Sequence, residues 1–267
     1  MELRLRSWEH FLKVVTDAAY YNWAFRGQSH ESWSLFTALS RYFLDFRIDP
    51  GVWAKQEERI LRIFKRKAHQ HLDQPPALED DFHWLAFMQH HGAPTRLLDF
   101  TWSPYVAAFF ALARSLGDGV VWALNPARIS SADSTEMDPR VPGNFARHFL
   151  KGQKPFIWIG EPHTMNRRLV AQAGTFVIPG VLDRPMEKIL EDYDDPESLM
   201  AKFILPGDRI RETGLRELYR MNITFATLFP DLDGLARSLG YELEFHWAYD
   251  PKTPRQPGLR RRRRRPV

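Results

Sequence analysis

Gln89-His90-His91-Gly92-Ala93-Pro94-Thr95-Arg96-Leu97-Leu98-Asp99-Phe100-Thr101-Trp102-Ser103-Pro104-Tyr105-Val106-Ala107-Ala108-Phe109-Phe110-Ala111 is the stretch that decides the fold class. A helix predicted from about Asp80 to His91 meets its stop at Gly92, the residue type that ends helices most readily, with Pro94 just beyond. Thr95 to Phe100 then reads as a strand. Ser103-Pro104 supplies an N-cap followed by proline at the first helical position, so a second helix is predicted from Tyr105 to Leu116, ended by Gly117. Its Ala and Phe content predicts burial on most sides.

Outward toward the N-terminus, Ser7 to Ala19 reads as a helix with Ser7 as cap and Trp8, Phe11, Leu12 and Val15 on one face. Asn22 to Gly27 is a short aromatic strand. Pro50-Gly51 breaks the chain, and a long amphipathic helix follows through Trp53, Ile60, Leu61, Phe64, Ala68 and Leu72 until Pro75-Pro76. Outward toward the C-terminus, Val120 to Leu124 is a strand, and residues 125–155 read as a long loop or insert. Leu169-Val170 and Thr175 to Ile178 are read as strands flanking Gly174, and Lys202 to Leu205 as another. Asp208 to Met221 and Asp231 to Leu239 look helical, and Tyr241 to Trp247 is expected to form a last strand. The sum is an α+β fold, with a central mixed β-sheet surrounded by helices over residues 1–250.

Composition sets the limits. The 267 residues, 44% hydrophobic with nine Trp and nineteen Phe, are enough for a sizeable core. There is no cysteine, which excludes disulfides and thiolate chemistry. Met1-Glu2-Leu3-Arg4-Leu5-Arg6 does not read as a signal peptide and no apolar run reaches spanning length, so the expected location is cytoplasmic. The net charge is +4, but Arg260 to Arg265 are six consecutive arginines, and without them the remainder carries −2. The basic pI therefore reports residues 251–267, expected to be a disordered Arg-rich tail, and not a nucleic-acid-binding fold. Such a tail can itself attract nucleic acid.

Two segments carry chemical signals. In Phe25-Arg26-Gly27-Gln28 an arginine ends an aromatic strand. Its planar fork matches phosphate or carboxylate, and the glycine lets the backbone approach a ligand. In the second segment, Asp99 and Arg96 either pair with each other or face a ligand. Thr95, Thr101 and Ser103 lie around a strand-to-helix passage where hydroxyls and helix-start N–H groups suit an anion, although Ser103 needs no ligand to act as an N-cap. Metal binding is not expected. Of His69, His71, His83, His90 and His91, the first two diverge on their helix, as do the adjacent His90 and His91, and no His-Glu-x-x-His pattern occurs. Walker, Gly-x-Gly-x-x-Gly and Gly-x-Ser-x-Gly patterns are also missing.

Phe-Arg-Gly-Gln at residues 25–28, the run from Gln89 to Pro104 and the Ala/Phe helix after it resemble the FRG domain family, which is named for its aromatic-Arg-Gly motif. Arg168 to Phe176 and Ile223 to Ala236 extend the likeness. A weaker likeness is to arginine-type ADP-ribosyltransferases, in which an aromatic-Arg-Gly strand precedes a Ser-Thr-Ser strand and a third strand supplies a glutamate. That resemblance implies a nucleotide-handling, NAD-using transferase, with a bacterial toxin or phage-defence effector as the family-level expectation. Arg26 would hold the NAD pyrophosphate or ribose, and Thr101 would position the nicotinamide ribose. Gly27, Gln28, Thr95, Arg96, Asp99 and Ser103 would bind ligand. The pattern departs where Trp102 interrupts the Ser-Thr-Ser and where Gln172 stands near the expected glutamate. An amide is neither a base nor an anion, so Glu161 or Asp231 would have to serve, or the chemistry is different or absent. The rival readings are a non-catalytic module for a nucleotide or phosphorylated small molecule, and a nucleic-acid binder acting through Arg260 to Arg265.

Overall fold

The computed structural model describes residues 1–132 and 135–245. Strands are β1 (Glu2–Arg4), β2 (Ala24–Gln28), β3 (Leu98–Thr101), β4 (Gly119–Leu124), β5 (Ile157–Gly160), β6 (Gly174–Pro179) and β7 (Met200–Leu205). Helices are α1 (Trp8–Val15), α2 (Ala38–Asp45), α3 (Trp53–Ala68), α4 (Asp81–His90), α5 (Pro104–Ala113) and α6 (Pro126–Ala132). They continue as α7 (Arg167–Ala171), α8 (Met186–Leu190), α9 (Gly207–Arg220), α10 (Phe225–Leu228) and α11 (Leu232–Phe245). The fold is α+β, with one mixed seven-stranded sheet in the order β1-β7-β4-β2-β3-β6-β5. Only β1 and β7 run parallel; the remaining pairs are antiparallel.

The sheet is unevenly stitched. β2 pairs with β4 along its whole length, from Ala24 opposite Leu124 to Gln28 opposite Val120. On its other edge β2 meets β3 at a single position, Phe25 opposite Thr101. β3 in turn pairs fully with β6. The sheet therefore forks between β2 and β3 into two wings joined at Phe25–Thr101.

Helix α5 starts as its sequence dictates. Ser103 Oγ accepts the Val106 N–H at 3.3 Å, and Pro104 occupies the first turn. Six of its ten residues are buried, and it packs on β2 and β4 with α1, α9 and α10 around it. On the opposite face, Leu35, Ile129 and the α8 residues Met186, Ile189 and Leu190 cover Ala24, Trp122 and Leu124. Helices α3 and α4 and the π-helical turn Phe145–Leu150 build a separate cluster on Phe176 and Ile178 of the second wing.

Several expectations need correction. Residues 125–155 are not a bare loop: they hold α6, a 3₁₀ turn at Thr135–Met137 and the π-helical turn. Leu169-Val170 is helical, because Asn166 Oδ1 accepts the Leu169 N–H at 2.8 Å and caps α7. The expected last strand from Tyr241 is helical as far as Phe245, with Asp231 Oδ1 accepting the Gly234 N–H at 2.7 Å at the start. Its end at residues 246–247, and the tail with Arg260 to Arg265, lie outside the described residues. Strand β3 begins at Leu98 rather than Thr95. No helix among the described residues is long and apolar enough to cross a membrane.

Candidate functional site

The fork holds a cavity of about 710 Å³, inside the range of roughly 300–1,000 Å³ common for small-molecule sites. Continuing the register of Phe25 with Thr101 would set Gly27 opposite Asp99, but no ladder forms there. Instead the Arg26 side chain crosses the gap, and Nη1 donates to the Asp99 carbonyl at 2.5 Å. A guanidinium thus replaces a strand-to-strand bond. Its Nε is buried without a hydrogen-bond partner, a donor left over by the protein itself.

Arg41 of α2 and Arg168 of α7 join Arg26 in the cavity wall. Among the described residues no carboxylate oxygen lies within 4.0 Å of any of the three. Arg41 Nη1 donates to the Phe36 carbonyl at 2.6 Å, and the Arg168 guanidinium lies 4.4 Å from the centre of the Phe229 ring. Burial pushes all three below the ordinary arginine value. For Arg26, Asp99 opposes that shift and Arg41 adds to it; for Arg168, Asp99 opposes it and Arg237 adds to it. Guanidinium nonetheless stays protonated. Three charges with no ion-paired carboxylate, facing one cavity, make an anion site. Trp33, Phe100 and Phe110 add aromatic walls.

Asp99 is the one carboxylate among the lining residues of this cavity. Its Oδ1 accepts from Gln89 Nε2 at 2.9 Å. The pairing with Arg96 does not form. Arg96 is buried and faces away, with Nε donating to Glu57 Oε1 at 2.7 Å and Nη2 donating to Glu57 Oε2. Its remaining hydrogens meet the carbonyls of Pro179, Gly180 and Phe149. Thr95 is also buried; it donates to Gln89 Oε1 and accepts the Leu97 N–H. Both residues are structural, and neither lines the cavity.

Thr101 lines the cavity, but its hydroxyl is committed. Oγ1 donates to the Gln172 carbonyl at 2.7 Å and accepts the Ser103 N–H at 3.0 Å. Gln172 lines the cavity with its Nε2 donating to the Leu228 carbonyl at 3.0 Å. Gln28 lines it too, with Oε1 accepting from Trp122 Nε1 at 2.8 Å. Ser103 stays with the α5 cap. The bare Cα of Gly27 serves helix packing: a Cβ there would stand 1.9 Å from the Ala107 carbonyl oxygen. Glu161 accepts from Trp102 Nε1 at 3.0 Å and Asp231 caps α11; neither lines the cavity.

These placements set the aromatic-Arg-Gly strand against the Asp99–Thr101 segment across one cleft, and the match to known families falls on those same segments. Residues 21–118 fit the family model of the FRG domain. The chain carries an FRG domain. The match runs from the approach to β2 to the residue before β4, so the FRG domain supplies both lips of the fork, while Arg168 and Gln172 lie beyond it. No curated protein and no solved structure matches the chain.

A small chamber of about 40 Å³ adjoins the cavity at Asp99, Arg168 and Gln172 and is lined further by His90 and Asn166. His90 Nδ1 is buried without a partner. Burial first, then the charges of His91 and Arg168, hold the His90 imidazole below the usual histidine value, with Asp231 opposing. Among the described residues no group of three or more His, Asp or Glu side chains is placed to hold a metal.

Arg41, Arg168, Gln89 and His90 were not read as ligand residues from the sequence. Arg41 was legible in principle: Thr37 before Ala38, with Leu39 and Phe43 four apart, is a capped amphipathic helix start. Arg168 opens one of the segments that resemble the family, but reading Leu169-Val170 as a strand hid the direction of its side chain.

Proposed function

We propose that the fork of this FRG domain protein binds a phosphate-bearing nucleotide, with NAD as the ligand implied by the likeness to ADP-ribosyltransferases. The observation that carries this reading is the set of three arginines without ion-paired carboxylates, Arg26, Arg41 and Arg168, around one aromatic-walled cavity. A pyrophosphate carries the charge that such a set lacks, and aromatic faces suit a base or nicotinamide ring. The Arg26 guanidinium, which lines the cavity and donates to a backbone carbonyl rather than to a carboxylate, is the group that would face the phosphates. Bound there, NAD would supply an ADP-ribosyl group. Arg26 would orient the diphosphate, and Asp99, held by Gln89, would set a negative charge at the cavity wall. On this reading the chain is an ADP-ribosyltransferase-like enzyme of toxin or defence type.

A second reading is a binding module without turnover. The committed hydroxyl of Thr101 and the amide at Gln172 favour it, since neither offers a free catalytic group. Titration of the purified protein with NAD and ADP-ribose by calorimetry tests the shared premise; absence of heat with either removes it. Labelled NAD incubated with cell extract then separates the two readings. Labelled product supports the enzyme, and binding without product supports the module.

A further inference from the structure

The main cavity does not end at the arginines. A second cavity, of about 420 Å³, shares Arg26 and Arg41 in its wall and lies between α2 and the connector that leads from Gly92 into β3. The two cavities share three lining residues: Arg26, Arg41 and Asp99. Arg26 and Arg41 thus stand at a waist where the two chambers meet, while Arg168 lines the first alone. A ligand confined to the first chamber would leave the second, of about 420 Å³, unused beside this cation pair.

The second chamber has its own chemistry. Its walls are Ala38 and Tyr42 from α2, and Pro94, Leu97 and Leu98 from the connector. Tyr42 is 48% exposed, and its ring leans on Phe46 with centroids 4.5 Å apart. That contact leaves the Tyr42 side chain partly open. Gly92, at φ +81°, lines the chamber too, and a Cβ there would meet no atom within 4 Å. Away from Arg26, Arg41 and Asp99, the chamber is bounded by an aromatic ring, a proline and two leucines, a lining suited to a flat ring.

Resting on the nucleotide reading above, we propose that the site is two-lobed: Arg26 and Arg41 hold the diphosphate of a dinucleotide at the waist, one nucleoside fills the main cavity, and the ring of the other lies beside Tyr42. The ligand class is therefore a dinucleotide rather than a mononucleotide. Tyr42 is a binding residue of the second lobe and takes no part in holding the phosphates.

Calorimetry on the full chain and on Tyr42→Ala and Tyr42→Phe, with NAD and with inorganic pyrophosphate as separate probes, tests this. Tyr42 is on the surface, so its truncation leaves the core intact. Expected is a loss of NAD affinity of about five-fold or more in Y42A, the low end of what losing a base–aromatic stack costs. Y42F retains wild-type affinity, and pyrophosphate affinity is equal in all three proteins. Equal NAD affinity in Y42A and wild type overturns the second lobe and leaves the nucleotide reading standing. A parallel loss of pyrophosphate affinity in Y42A also overturns it, because Tyr42 would then act through Arg41. Wild-type protein that binds neither probe removes the nucleotide reading and this proposal together.

Discussion

At the scale of single residues, the two arginines that stand out in the sequence have opposite fates. Arg26 lines a cavity without an ion-paired carboxylate, while Arg96 satisfies a buried glutamate and three backbone carbonyls. Arg96→Met leaves Glu57 buried and unpaired, which costs about 3–5 kcal/mol. Adding Glu57→Leu should recover part of that loss, though not the unmet carbonyls, and urea unfolding of the single and double variants measures it. A double variant less stable than R96M would show that the ion pair is not what Arg96 supplies. Gly27 offers a second test. Its missing side chain lets β2 lie on α5, so Gly27→Ala forces two backbones apart and should destabilise by about 3 kcal/mol or more. A melting temperature unchanged from wild type would contradict that packing. The sequence made Gly27 visible but not its reason, because closeness to a ligand and closeness to a helix ask for the same residue.

At the scale of elements, helix α4 links packing to the site. Phe82, Trp84, Leu85 and Met88 are buried in the second wing, while Gln89 and His90 at its end reach Asp99 and the small chamber. The depressed titration of His90 means that the unfolded chain takes up a proton more readily than the folded one. Stability is then unaffected by His90 well above the ordinary value near 6.5. It falls as pH drops from there toward the folded value, where the unfolded state binds more protons. His90→Asn should therefore show a shallower loss of melting temperature between pH 7 and pH 5 than wild type. Equal slopes would place the acid sensitivity in other groups. Elements with strong local signals were legible: the Ser7 and Ser103 caps and the stop at Gly92 all lie where the sequence puts them. Those missed had signals that tertiary context outweighs. β1, three residues long, is a strand only because β7 lies beside it, and β5 only because β6 does. Leu169-Val170 has strand-like side chains, but the Asn166 cap places it in a helix.

At the scale of the whole molecule, the fork between β2 and β3 is the feature that turns a sheet into a site. No run of residues encodes it. It follows from β2 pairing along its full length on one edge and at one position on the other, and pairing between strands so far apart in the chain, such as Phe25 with Thr101 and Ala24 with Leu124, leaves no local pattern. The sequence nonetheless brought Arg26, Asp99 and Thr101 together as a candidate site, because the segments that hold them resemble the FRG domain, whose family model fits residues 21–118. The division into a folded body over residues 1–250 and an Arg-rich tail over 251–267 is a proposal with its own test. Truncation after Leu259 should leave the melting temperature within error while abolishing any salt-sensitive binding of nucleic acid. A clear loss of stability would mean that the arginines dock on the body.

The central claim, that Arg26 at the fork holds the phosphates of a nucleotide, is tested most directly by calorimetric titration of wild type and Arg26→Ala with NAD. The account predicts binding by wild type that weakens by on the order of 1.5–3 kcal/mol in the variant, about ten- to hundred-fold, with the variant still folded by circular dichroism. Binding of equal strength by the two proteins would contradict it.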